Sequence, residues 1–164
     1  MEGLVLNEES EYVTYMAPIF ETIGLDLIRD LNWRITYVET GGPLNEEYSF
    51  GDCLDYWISG DTLVDEVMKY PEIQWIWGLL QGFKPGINKV DICREELVVI
   101  QMDETIWTNP ISMRSPQAEI EIEAFDSSLS IVIAKDDTIL QRLQSVYRKS
   151  ELLSEYNNSL NLEP

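Results

Sequence analysis

The chain has 164 residues, of which 45% are apolar, so it can bury one sizeable core but leaves little room for two domains. Thirty acidic residues face eleven basic ones, which gives a formal charge of −19. This charge disfavours direct binding to nucleic acid or to anionic membranes, because both need clustered Lys and Arg. The chain has no histidine, which removes Ser-His-Asp and Cys-His catalysis and the commonest transition-metal ligand.

Cysteine usage and the apolar segments predict the compartment. Cys53 and Cys93 form no CxxC motif, and we interpret them as reduced core thiols, with a disulfide or a reactive thiol as the alternative. The first nine residues lack the basic and apolar regions of a signal peptide. The longest charge-free apolar stretch, residues 73–83, is much shorter than the roughly 20 residues that span a membrane. We therefore expect a soluble, cytoplasmic protein with one domain over residues 1–164.

The first predicted element is a helix. Apolar residues recur at helical spacing over residues 11–31, although Pro18 and Gly24 can kink or divide the helix. Residues 33–38 are rich in β-branched and aromatic side chains and predict a strand. The glycines and proline of residues 40–43 end that strand.

The middle of the chain is less uniform. Residues 48–58 fit either a short strand or an irregular loop. A short helix is predicted from Asp61, whose side chain caps it, to Lys69. Residues 73–80 are apolar on both faces, which indicates a central strand covered on both sides.

Two hairpins are predicted in the second half. Residues 88–93 and 97–102 are expected to pair around residues 94–96. Residues 118–125 and 128–134 form a clearer pair of strands, because two turn-forming residues join them.

The last predicted element is an amphipathic helix over residues 137–153, capped by Asp136 or Asp137. Residues 157–164 are expected to be a flexible tail. Together the elements predict an α+β fold: a mostly antiparallel sheet with helices on one side, namely an N-terminal helix, a short middle helix and a C-terminal amphipathic helix.

Three carboxylates recur at every second position in Glu119, Glu121 and Glu123. A strand places such residues on one face, about 7 Å apart. The preferred interpretation is a solvated outer face over a buried apolar one. A secondary acidic ridge that docks a cationic partner and a Mg²⁺ or Ca²⁺ site are the alternatives.

Acidic and aromatic residues are interleaved between residues 39 and 61. Acids mixed with rings suit an interface for a basic partner, because rings supply rigid contact area and carboxylates steer the encounter. Alternatively the rings belong to the core and the acids cover a loop, or the segment lines a small-molecule pocket. The rings of Tyr48 and Phe50 are interleaved with the acids. The candidate partner-binding residues are Glu39, Glu46, Glu47, Asp52, Asp55, Tyr56, Trp57 and Asp61.

Known catalytic signatures are missing from the sequence. It contains no GxGxxG, GxxxxGK[ST], GxSxG or SxxK motif. We predict no catalytic residue, no metal ligands and no cofactor. Trp75 and Trp77 fit a core strand, whereas Trp107 lies in a polar, turn-rich context and is expected to be more accessible.

The C-terminal part of the chain resembles known proteins. Residues 118–136, AEIEIEAFDSSLSIVIAKD, precede an amphipathic helix and residues 150–157, SELLSEYN. This segment is similar to the C-terminal part of small uncharacterised bacterial proteins, some of them encoded as immunity partners of secreted toxins. The resemblance covers roughly a quarter of the chain and follows a strand–turn–strand–helix pattern. It implies a bacterial cytosolic α+β protein that works by binding, and it assigns no functional residue.

Two classes of function stay open at this point. The first is an immunity or inhibitor protein that occludes the basic active site of a toxin, such as a nuclease, because a site that attracts polyanions also attracts an acidic protein. An acidic scaffold or regulatory subunit differs from it only in the partner. The second class is a carboxylate-dependent enzyme, with or without Mg²⁺, that uses Glu119, Glu121 and Glu123. The charge and the missing motifs favour the first, with a basic protein as partner.

Overall fold

A computed structural model describes residues 1–7, 13–41, 48, 50, 54–93, 97 and 99–160. In this part of the chain seven strands form one sheet in the order β3-β2-β4-β5-β6-β1-β7, and all neighbouring strands are antiparallel. The strands are β1 (Glu2–Leu6), β2 (Asn32–Gly41), β3 (Asp55–Ser59), β4 (Gln74–Phe83), β5 (Ile120–Phe125), β6 (Leu129–Ala134) and β7 (Glu151–Leu152). The helices are α1 (Met16–Ile23), α2 (Leu25–Arg29), α3 (Gly60–Lys69), α4 (Lys89–Ile92), α5 (Asp137–Val146) and α6 (Leu153–Leu160). The α+β prediction is confirmed.

Three local predictions are confirmed: the break in the N-terminal helix, the β5–β6 hairpin and the central strand β4. The N-terminal helical segment is divided at Gly24, whose φ of 112° is strained for residues with a side chain. Asp126 and Ser127 adopt positive φ and join β5 to β6 in a tight hairpin. β4 is central and buried on both faces, as its continuous apolar sequence predicts.

Four local predictions are wrong. The expected hairpin at residues 88–102 consists of α4 and a 3-10 turn at Ile100–Met102 in its described part. The predicted C-terminal helix ends at Val146, and α6 follows after the short strand β7. Residues 157–160 belong to α6, in which Asn157 is fully buried, rather than to a tail. Helix α3 is capped by the side chain of Ser59, which accepts from the Thr62 amide, and not by Asp61.

β1 was not predicted, because its five residues show no alternation of apolar and polar side chains. It lies between β6 and β7 and therefore joins the N-terminal segment to the last elements of the chain.

The two faces of the sheet are covered differently. α1, α3 and α5 pack on one face and bury a cluster that includes Phe20, Trp33 and Leu143. The other face is covered by α6 and by the described residues between 84 and 118 (84–93, 97 and 99–118), here called the cover segment. Helices therefore lie on both sides, not on one side as predicted. Cys93, on the cover segment, is exposed rather than a core thiol, and Cys53 lies outside the described residues.

In the ranges described above, no helix is long and apolar enough to cross a membrane.

Candidate functional site

Three buried polar side chains stand side by side on the cover-segment face of the sheet. Arg34 of β2 pairs in register with Gln81 of β4, which pairs with Glu121 of β5. Their exposed fractions are 3%, 5% and 2%. Buried polar groups are costly unless they are hydrogen-bonded, so their partners explain why the sheet tolerates them.

The Glu121 carboxylate accepts three hydrogen bonds. Its Oε1 accepts from Gln81 Nε2 at 2.8 Å and from the Ser115 amide at 3.0 Å, and its Oε2 accepts from the Arg114 amide at 3.1 Å. Two of these donors belong to the backbone of the cover segment. Glu121 therefore fastens the cover segment to β5.

Arg114 lies among three carboxylates. Its Nε donates to Asp103 Oδ2 and its Nη2 to Glu123 Oε2, both at 2.6 Å, while Nη1 lies 3.8 Å from Glu121 Oε2. The Arg114 side chain is only 7% exposed. We call Asp103, Arg114, Glu121 and Glu123 the carboxylate cluster.

Burial and neighbouring charges shift the pKa values of Glu123 and Asp103 in the carboxylate cluster. Burial raises the pKa of Glu123 to about 7, against the attraction of Arg114 and with added repulsion from Asp103 and Glu121. Burial acts in the same direction on Asp103, but hydrogen bonds from Thr105 and the charge of Arg114 outweigh it and lower the pKa of Asp103. Glu123 Oε1 is buried without a hydrogen-bond partner among the described residues. Glu123 can therefore hold or release a proton near neutral pH.

The expectation that Glu119, Glu121 and Glu123 form a solvated face is wrong for Glu121 and Glu123. Glu121 is 2% exposed and Glu123 1%, because the cover segment lies over them. Only Glu119 is partly exposed, and it forms ion pairs with Lys84 and Lys135 at 3.0 and 3.2 Å. These residues are therefore not an exposed acidic ridge.

Arg114 and Gln81 were not among the predicted site residues. The available signal for Gln81 was its position directly after the apolar residues 75–80, because a polar side chain in a central strand requires a partner. Arg114 lies in a segment without regular structure, so its position over β5 follows from tertiary folding alone.

A cleft of about 290 Å³ opens beside the carboxylate cluster. Asp103, Glu104 and Met102 line it together with the rings of Trp107 and Phe125. The two rings meet edge to face, with centroids 5.0 Å apart. Trp107 is half-buried and so more accessible than the buried Trp75, as expected, but Trp77 is half-buried too. The cleft thus combines aromatic surface with acidic side chains.

The second candidate site is the surface formed by α2, β3 and α3, here called the acidic end. These elements carry five acidic and two basic residues. Asp61 and Asp65 of α3 accept hydrogen bonds from Arg29 of α2 at 3.0 and 2.8 Å, yet their side chains remain 73% and 72% exposed. Tyr56 of β3 is 40% exposed.

The structure brings together only some of the predicted partner-binding residues. Tyr56 and Asp61 belong to the acidic end, and Asp55, on the same strand, pairs with Arg34 at 3.0 Å. Trp57 is half-buried and stacks on Phe83 in the core under the cover segment. Glu39 is exposed on β2, opposite Trp77. Glu46, Glu47 and Asp52 lie outside the described residues.

The interpretation of the rings as core residues holds for two of them. Tyr48 and Phe50 are 8% and 2% exposed, and their rings meet edge to face. Tyr48 also accepts a hydrogen bond from the indole of the buried Trp75 at 2.9 Å. These two rings are therefore not available to a partner.

No three His, Cys, Asp or Glu side chains within the described ranges are placed to hold a metal ion together. No protein-family model, curated protein or solved structure matches this chain. The resemblance of residues 118–157 to immunity-type proteins thus stays a prediction.

Proposed function

We propose that this chain is a non-enzymatic binding protein that recognises a basic protein through its acidic end. We further propose that it acts as an immunity or inhibitor protein, cytoplasmic in its location, that occludes the basic active site of a toxin such as a nuclease.

The observation that carries this proposal is the acidic end itself. Its two α3 carboxylates are about three-quarters exposed although each is bonded to Arg29, so they remain accessible to a cationic partner. Tyr56 adds a ring that is 40% exposed on β3, the strand that leads into α3, and tyrosine is among the residues that contribute most to interface energies. With a formal charge of −19, the whole molecule also attracts cations over a longer range.

Affinity capture with matched baits tests the proposal. The tagged protein is incubated with a lysate of the organism that encodes it and washed at about 50 mM and then about 500 mM NaCl, where screening lengths are about 14 Å and about 4 Å. Two variants serve as further baits. Asp61→Lys/Asp65→Lys changes the acidic end, and Asp137→Lys/Glu151→Lys changes α5 and the far edge of the sheet. Both replace two acids by two lysines, one of them in the first turn of a helix.

The proposal predicts one basic protein that is retained at low salt and released at high salt. The wild type and the far-edge variant should retain it, and the acidic-end variant should lose it. Capture of no basic protein, or equal capture by both variants, would contradict the proposed role of the acidic end.

A further inference from the structure

We infer that the cleft beside the carboxylate cluster is a binding site for an alkylammonium or alkylguanidinium group. This inference concerns a different surface from the acidic end, so it does not rest on the proposed function.

The walls of the cleft have the chemistry that binds a cation on an alkyl chain. Trp107 and Phe125 offer aromatic surface, and tryptophan is the best aromatic partner for a cation. Glu104 is exposed at the cleft, where its carboxylate can pair with a charged head group. Met102, which also lines the cleft and is 80% exposed, has a flexible apolar side chain suited to an alkyl stem. These groups match an alkyl chain that ends in a cation.

The carboxylate cluster beside the cleft also favours a cation. Three carboxyl groups surround the single guanidinium of Arg114, and one of them, Asp103, lines the cleft. Glu123 lies two residues before Phe125 on the same face of β5, and its 1% exposed carboxyl group keeps an oxygen without a hydrogen-bond partner among the described residues. A cation in the cleft offsets this excess of buried acid. An anion meets repulsion instead.

The size of the cleft limits the ligand. About 290 Å³ lies at the lower end of small-molecule sites and suits one side-chain-sized group. Such a group comes either from a lysine or arginine of a protein partner or from a free small amine.

The test is a titration followed by NMR on the full chain at about 150 mM NaCl, where the screening length is about 8 Å. The probes are Nα-acetyl-arginine amide, Nα-acetyl-lysine amide and Nα-acetyl-citrulline amide, the last being a neutral isostere of the arginine probe. We expect both cationic probes to shift the indole signal of Trp107 and the amide signals of residues 100–107, with millimolar affinity. The citrulline probe should bind at least about tenfold more weakly, since it lacks the charge.

Two variants check the assignment. Glu104→Gln should weaken binding of the arginine probe by about two- to fivefold, because it removes one exposed carboxylate from the cleft. Glu21→Gln changes another exposed acid, on α1 at the opposite face of the sheet, and should leave binding unchanged. Equal binding of the citrulline probe, shifts spread over the exposed acids, or no shift at probe concentrations of about 50 mM would overturn the inference.

A second arm separates the two sources of the cation. If the captured basic protein supplies it, Glu104→Gln weakens that complex as well as probe binding. If a free amine is the ligand, Glu104→Gln weakens probe binding only. Failure of the titration overturns the cleft inference and leaves the capture result for the acidic end intact.

Discussion

Arg114 and Arg29 form ion pairs of similar geometry, but the free-energy cost of breaking them differs because only Arg114 is buried. Each arginine donates to two carboxylates at 3.0 Å or less. The Arg29 side chain is 34% exposed and water screens its contacts, whereas the Arg114 side chain is 7% exposed. Removing a buried partner leaves uncompensated charge in the core, which costs far more than losing a surface pair.

Arg114→Met is therefore expected to lower the free energy of unfolding by about 3–5 kcal/mol, measured by urea denaturation. Arg29→Met is the matched control and should cause a much smaller loss, because its two acids stay solvated. Similar losses in the two variants would show that the carboxylate cluster is not a buried ionic network.

Glu123 should make stability depend on pH near neutrality. The unfolded chain releases this proton near pH 4.5, whereas burial in the fold raises the pKa to about 7. Between these values the folded state holds a proton that the unfolded state has lost, so folding becomes less favourable as pH rises. The stability from this group is complete below pH 4.5 and is lost as pH passes about 7.

The free energy of unfolding of the wild type should thus fall relative to Glu123→Gln between about pH 5 and about pH 8, by at most about 1.4 kcal/mol per pH unit. Glu119→Gln is the control. Burial alone would raise the pKa of Glu119, but Lys84 and Lys135 lower it, so its contribution changes only at more acidic pH. If the free energies of unfolding of the wild type and Glu123→Gln change in parallel between these pH values, the pH effect of Glu123 is refuted.

Helices α2 and α3 lie close together where α3 begins. The Gly60 amide donates to Leu31 O at 2.8 Å, and a Cβ on Gly60 would overlap the carbonyl oxygen of Ile28 and lie 2.7 Å from the Arg29 Cα. The direct junction between β3 and α3 at Ser59 and Gly60 therefore holds α3 against α2, and with it Asp61 and Asp65 beside Arg29.

Gly60→Ala should destabilise the fold by about 1–3 kcal/mol, although alanine is the better helix former, because the neighbouring atoms are backbone and cannot move aside. Gly41→Ala is the control, since its Cβ would lie 3.4 Å from Ile76 Cδ1, an ordinary contact. Thermal melting compares the two. A Gly60→Ala protein as stable as the wild type would mean that α2 and α3 are less closely packed.

Elements that depend on residues close in the sequence were predictable, whereas features that depend on tertiary contacts were not. β4, the β5–β6 hairpin and the break at Gly24 were predictable, because continuous apolar sequence and turn residues act locally. Residues 88–102 were wrongly predicted as strands. Their apolar residues suit either a strand or a segment that packs on a sheet, namely Val90, Ile92, Val99 and Ile100. The burial of Glu121 was not predictable either, since Gln81 lies 40 residues away and the nearby Arg114 belongs to a segment without regular structure.

At the scale of the whole molecule, the uneven distribution of charge along the chain determines where we expect a cationic partner to approach. Residues 1–83 carry sixteen acids and three bases, whereas residues 84–164 carry fourteen acids and eight bases. The acidic end belongs to the more acidic half of the chain, and the buried cluster to the other half. Long-range steering of a cationic partner should therefore favour approach to the acidic end.

The most direct test of this account is the association rate of the captured basic protein with three purified proteins. They are the wild type, Asp61→Lys/Asp65→Lys and Asp137→Lys/Glu151→Lys, each measured by stopped flow over a range of ionic strength. We predict that the wild-type rate falls steeply with salt, that the acidic-end variant associates about tenfold or more slowly at low salt, and that the far-edge variant stays close to the wild type. Equal rates for the two variants, or a wild-type rate that does not change with salt, would contradict recognition through the acidic end.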